Sequence, residues 1–434
     1  MEQRPPSRRV LLVAFVVVAS AITGATVGFA FDGGSLGRAT RAAPTLPQIQ
    51  ALLARHGTAV MSRSSKRFMA GIDGDRSDAA FRAAQLASFD NLASVPVASW
   101  NYRAAAPVTD PAANNAATAH YGAPAQIMRV DFSYSLRDVD PAPASYPLYL
   151  TFVDRGGQVL IASDSDLTDE AGASWHGPWD FGPVDVYRGR YSLVLAHPDE
   201  ASLMPRLAAV VDAAVPAVSS VWGTGWNREI AVIVPSTPAE MNQVISDDLL
   251  LSQIAATTYA NGMDAGAGQA LGVRIAVNPA NLSRLDAVGL RIVLRHEVTL
   301  VATWASRGPS SPLWLTEGFA EYVANLGTGQ TLPVAASELA KEVREGTIPA
   351  ALPTTADFDG SNARLPQSYE EAWLACRLIA ATAGQAALVS FVKQVGASPL
   401  GAEAAVAAGL KSVLKMTPAQ FTVAWQHYLG AELR

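Results

Sequence analysis

The stretch RIVLRHEVTLVATW, residues 291–304, followed by PLWLTEGFAEYV, residues 312–323, decides how this chain is read. Apolar Leu290, Val293, Leu294 and Val301 recur at helical spacing, which places His296 and Glu297 on an amphipathic helix with Ser283 and Asp286 as candidate caps at its start. In an H-E-x-x-H helix the second histidine follows the first by one turn, on the same face, so that both imidazoles reach one metal ion. Here that position is Leu300. A hydrolytic zinc centre needs three protein ligands, an open position for water and a carboxylate that takes the water's proton. The chain offers His296 and Glu317 as ligands and Glu297 as the base, and an aliphatic side chain without a lone pair in the remaining place.

Taken together, RHEVTLVAT and PLWLTEGFAEYVA resemble the gluzincin-type metallopeptidases, and in particular bacterial membrane-anchored proteins with a peptidase MA-like domain. The resemblance covers residues 196–434. It implies that His296 and Glu317 are zinc ligands, that Glu297 is the general base, and that Glu321 orients the histidine ligand from behind. It further implies that Tyr369, in SYEEAWLACRLIA, stabilises the oxyanion. Leu300 departs from the pattern, and the two remaining ligands are expected to hold zinc weakly or not at all. Of the other histidines, His56, His120, His176, His197 and His427, two fall in this region, His197 and His427, and neither has a motif that points it at the site. The expectation is a pseudoenzyme: a metallopeptidase-like domain with weakened or lost hydrolysis that binds peptides or envelope partners through the old cleft. The alternative is an active zinc metallopeptidase using His296, Glu317 and an unidentified third ligand, with Glu297 as base.

Composition removes other classes. The 434 residues are enough for two or three domains with their own cores. With 32 basic against 38 acidic residues and no recurring basic block, nothing speaks for nucleic-acid binding. The single cysteine, Cys376, excludes an internal disulfide and lies in the apolar helical run AWLACRLIAA, where it reads as a packing thiol. Residues 10–31, VLLVAFVVVASAITGATVGFAF, carry no charge and follow Arg4, Arg8 and Arg9. At about 1.5 Å per residue that run spans the roughly 30 Å hydrocarbon layer, and the flanking arginines favour a cytoplasmic N-terminus with all later residues extracytoplasmic. A cleaved signal peptide is the competing reading, although its apolar core is usually shorter.

The organisation expected is therefore a cytoplasmic tail at 1–9, a transmembrane helix at 10–31, a linker at 32–47, an α+β domain at 48–170, a connector at 171–195 and the peptidase-like domain at 196–434. Within 48–170, Ile49, Leu52, Leu53 and Val60, then Phe81, Leu86, Phe89 and Leu92, give helical faces. β-rich runs follow, broken by a hairpin turn at Arg155-Gly156-Gly157. Helices before antiparallel strands indicate α+β, an order similar to the cone-shaped nuclear transport factor 2 family. Ala104 to Pro124 reads as a long exposed loop, and the glycine-rich residues 262–272 as a mobile loop leading into a strand. The C-terminal domain is expected to set a mixed sheet before a mostly helical half.

Overall fold

The computed structural model describes residues 42–74, 79–167, 173–245, 254–264 and 269–434. The segment 10–31, read as a membrane helix, lies outside the described residues, as do 1–41 as a whole. Two compact units are present among the described residues, one comprising residues 42–186 with Ala260–Gly262, the other Tyr187–Tyr259 with Met263–Arg434.

The first unit opens with α1 (Leu46–Met61), started by a capping box in which Thr45 N donates to Gln48 Oε1 at 2.9 Å. Short α2 (Ser65–Met69) and α3 (Ala79–Asn91) follow, then a four-stranded antiparallel sheet of β1 (Val97–Pro107), β2 (Ala125–Leu136), β3 (Ala144–Asp154) and β4 (Val159–Ser163) in that order. Alternation along each strand gives the sheet two apolar faces. One packs Val130, Phe152 and Ile161 against Ile49, Leu52 and Leu53 of α1. The other packs Ile127, Val153 and Leu160 against Ala117 and Tyr121 of α4 (Pro111–Tyr121). That helix replaces the loop expected over 104–124. Its start is set by Asp110-Pro111, where the Asp110 carboxylate caps Ala112 N at 2.8 Å, and its end by Gly122, at φ 59°. The Gly156-Gly157 turn forms between β3 and β4, both glycines at positive φ. Leu86, expected on a buried helical face, is exposed on α3.

His56 on α1 is 4% exposed and stacks on Phe68 at 4.0 Å between ring centroids. Burial pulls its pKa down to about 4 against a weaker opposing hydrogen bond to Phe68. Between pH 6.5 and 4 the unfolded chain binds the proton and the folded unit does not, so stability is complete above the unfolded value and is lost as pH falls through the window, by up to about 3 kcal/mol. Amide-exchange protection of α1 and β1 should therefore fall from about pH 6.5 downward, and His56→Phe should flatten that dependence relative to the unaltered chain. Equal pH profiles for the two proteins would contradict the assignment.

The division between the units, after Val186, falls inside the connector expected over 171–195, and Trp175 and Trp179 precede it. Trp175 lies 4.0 Å from Tyr146 and Trp179 5.3 Å from Trp100, ring to ring, inside the first unit. From there β5 (Asp185–Arg188) and β6 (Ser192–Ala196) enter the second sheet. That sheet is mixed, in the order β5-β6-β7-β11-β8, with β6, β7 (Ile230–Val234) and β11 (Arg274–Val277) parallel and β8 (Ala256–Tyr259) antiparallel to β11. Strand β8, in AATTYA, is not among the elements expected from sequence. The glycine-rich segment forms a short hairpin, β9 (Met263–Asp264) with β10 (Gln269–Ala270), before β11.

α5 (Met204–Trp222) buries Leu207, Val211, Val215 and Val218 and packs on β6 and on α8 (Ala287–Thr303). With the turn before it, this is the one helix among the described residues long and apolar enough to cross a bilayer. α6 (Pro238–Ile245) and α7 (Pro279–Leu282) complete the sheet region. After α8 the chain is helical: α9 (Leu313–Asn325), α10 (Leu332–Ala335), α11 (Ser337–Arg344), α12 (Leu365–Ala383), α13 (Gln385–Gly396), α14 (Ala402–Val413) and α15 (Pro418–Glu432). The whole is α+β, with a mixed sheet set before a helical half.

Candidate functional site

α8 is started by Asp286, whose carboxylate accepts from Val288 N and Gly289 N at 3.0 and 2.8 Å. Ser283, the other candidate cap, donates instead to Ala280 O. α8 packs against α9, and α9 in turn against α12. The closeness of the second crossing rests on Gly318, since a Cβ there would meet Ala372 O at 2.3 Å. These crossings bring His296, Glu297, Glu317, Glu321 and Tyr369 into one buried region.

His296 is fully buried and held from both sides. Its Nε2 lies 3.1 Å from Glu317 Oε2 and its Nδ1 2.9 Å from Glu321 Oε1. Glu317 and Glu321 stand one turn apart on α9, so their carboxylates reach the two edges of the same ring. Asn325, a further turn on, donates to Glu321 Oε2 at 3.0 Å. Burial disfavours charge on the imidazole, but Glu317 and Glu321 outweigh it and push the His296 pKa up to about 10. Both carboxylates therefore favour the protonated ring. Tyr369 is 1% exposed, its ring edge-on to His296 at 6.3 Å and to Phe358 at 5.2 Å.

Glu297 projects to a different partner. The Thr258 hydroxyl, on β8, lies 2.6 Å from Glu297 Oε2. Burial raises the Glu297 pKa to about 8, against the pull of His296, Thr258 and Arg307. That shift favours the neutral carboxyl, whereas a base that accepts a proton from water must be ionised. Glu297 Oε1 and Glu317 Oε1 are both shielded from solvent and have no hydrogen-bond partner among the described residues.

The group that sequence reasoning missed is Arg307. It follows the turn Trp304–Ser306 at the end of α8, stacks on Trp304 at 4.8 Å and donates from Nη2 to Leu300 O and Thr303 Oγ1 at 2.8 and 3.2 Å. Its Nε and Nη1 are shielded and unpartnered among the described residues. Burial lowers its pKa to about 10 while Glu317 and Glu297 act the other way, so the guanidinium is charged and feels both carboxyl groups. The turn is fixed by glycines: a Cβ on Gly308 would meet Gly396 O at 2.1 Å, and one on Gly396 would meet Ser306 O at 2.0 Å. Ser310 adds hydrogen bonds to the backbone carbonyls of Ser398 and Leu400. In sequence RGPSSP reads as a plain loop, and no local pattern in it marks a cation turned inward.

The donor set does not fit a three-ligand zinc centre. Besides His296 Nε2 and Glu317, the helix offers Leu300, fully buried and without a donor atom. His197 is engaged by Glu240 at 2.7 Å, and His427 is exposed on α15. No group of three histidine, cysteine or acidic side chains placed to hold a metal occurs among the described residues. The neighbours of Tyr369 have structural duties. Glu370 accepts from Glu338 N and Leu339 N at 3.3 and 2.6 Å and so caps α11, while Glu371 pairs with Arg364 at 3.0 Å.

No protein-family model matches this chain, and no curated protein matches it. Among solved structures it is similar to a two-domain M1 zinc metallopeptidase, in two crystal structures of a mutant. With the mutant bound to L-arginine the identity is 13% over 65% of this chain, with a TM-score of 0.29. With the mutant bound to L-tryptophan the identity is 14% over 63%, with a TM-score of 0.30. In both cases the match spans 58% of the peptidase chain.

Proposed function

We propose that the second unit is a gluzincin-like domain, of the peptidase MA-like kind, that has exchanged its metal for an internal guanidinium and binds peptide or envelope-protein segments without hydrolysing them. The observation that carries this reading is the closed charge set around His296. His296, its pKa raised by two carboxylates, and Arg307 stand against Glu317 and Glu321, while burial raises the Glu297 pKa as well. With the histidine and arginine as cations such a set approaches neutrality without a divalent ion. Strand β8 carries Thr258 to the site. In this reading residues 10–31 anchor the chain in the cell membrane, single-pass with the N-terminus cytoplasmic, and the first unit is a cone of the nuclear transport factor 2 kind.

The test is incubation of the full chain with a pool of unstructured peptides and about one equivalent of zinc, followed by mass spectrometry of both free and retained peptide. Retention without cleavage is expected. Zinc-dependent cleavage that Glu297→Gln abolishes would instead establish a working peptidase with an unrecognised third ligand, and would end the proposal.

A further inference from the structure

The first unit contains a cavity of about 70 Å³ between its helices and the sheet. One side of it is aromatic. Trp175 and Trp179 meet nearly edge to face, at 71° and 5.9 Å between centroids, and Trp100 lies 5.3 Å from Trp179. Asp164 and Asp180 line it as well. Asp180 is well served, accepting from Ser88 Oγ and from Gly177 N at 2.8 Å, with His176 Nδ1 3.8 Å away. That contact raises the His176 pKa against its burial. Asp164 is less well served. Its one side-chain hydrogen-bond partner among the described residues is Gln85 Nε2, at a long 3.3 Å, and its half-buried position raises its pKa against the weaker pull of His176 and of a backbone hydrogen bond.

Ring faces attract cations through their quadrupole, most strongly where water is excluded, and a carboxylate with one weak hydrogen bond favours a positive neighbour. The cavity is less than half the roughly 150 Å³ that takes a benzene, so it suits a compact head group whose remainder leaves through the mouth. A metal ion is a poor match, since the aromatic side offers no ligand atoms. We propose that this cavity binds a small organic cation of the substituted-ammonium class, its head against Trp100, Trp175 and Trp179 and its charge compensated by Asp164.

Calorimetric titration of the full chain with ethanolamine and with its uncharged carbon analogue, propan-1-ol, separates charge from shape. Ethanolamine should bind saturably, at least about tenfold tighter than the alcohol, and should quench tryptophan emission. Asp164→Asn should bring ethanolamine down to the affinity of the alcohol and leave the alcohol unchanged. Equal binding of the two probes to the unaltered chain, or no saturable ethanolamine binding, overturns the proposal. That comparison requires no variant, so it decides the matter even where Asp164→Asn fails to fold.

Discussion

Leu300→His alone is expected to leave zinc affinity within about tenfold of the unaltered chain, whereas Leu300→His combined with Arg307→Met should raise it by about 100-fold or more. The single change supplies the imidazole that the helix lacks, on the face already occupied by His296. It leaves in place a guanidinium that bonds Leu300 O and interacts with Glu297 and Glu317. At an effective dielectric near 20, a unit charge repels a nearby divalent ion by on the order of a few kcal/mol. Methionine at 307 keeps much of the length without the charge, so that repulsion is gone. Competition against a chromophoric chelator reads both affinities. One tight equivalent of zinc on Leu300→His by itself would show that Arg307 does not guard the site. Failure of the double variant, still folded, would show that Glu317 and His296 are no longer placed as ligands.

The second large effect concerns the scaffold. Gly318→Ala should destabilise the second unit by about 3 kcal/mol, because overpacking a backbone contact forces the helices apart. The added Cβ would lie 2.3 Å from Ala372 O and 2.5 Å from its carbonyl carbon, and no rotamer change relieves an overlap with main chain. Gly401→Ala is the matched control: nothing lies within 4 Å of a Cβ there, and its φ of −64° suits any residue. Urea midpoints for the two variants should differ accordingly, at similar slopes. Equal midpoints would mean that α9 and α12 cross more loosely than described.

The two helices that carry His296, Glu297, Glu317 and Glu321 are legible in the sequence because the i,i+4 rule ties function to spacing. Glu317 and Glu321 reach opposite edges of one ring through the same periodicity that makes the motif visible. Thr258 and Arg307 are not legible in this way. One arrives on a strand and the other from a turn, so what assembles them with Glu297 and Glu317 is tertiary packing. The helix at 111–121 is a different kind of miss: Asp110-Pro111 and Gly122 are local signals, outweighed by alanine-rich composition. Within the connector expected over 171–195, a tryptophan-rich segment can join two units or fill the core of one, and Trp175 and Trp179 do the latter.

The turn that carries Arg307 is pressed main chain to main chain against the end of α13 where Gly308 meets Gly396. The guanidinium therefore cannot swing aside unless two segments remote in sequence part company. A single change at position 300 acts on the helix alone and leaves this lock between distant segments in place.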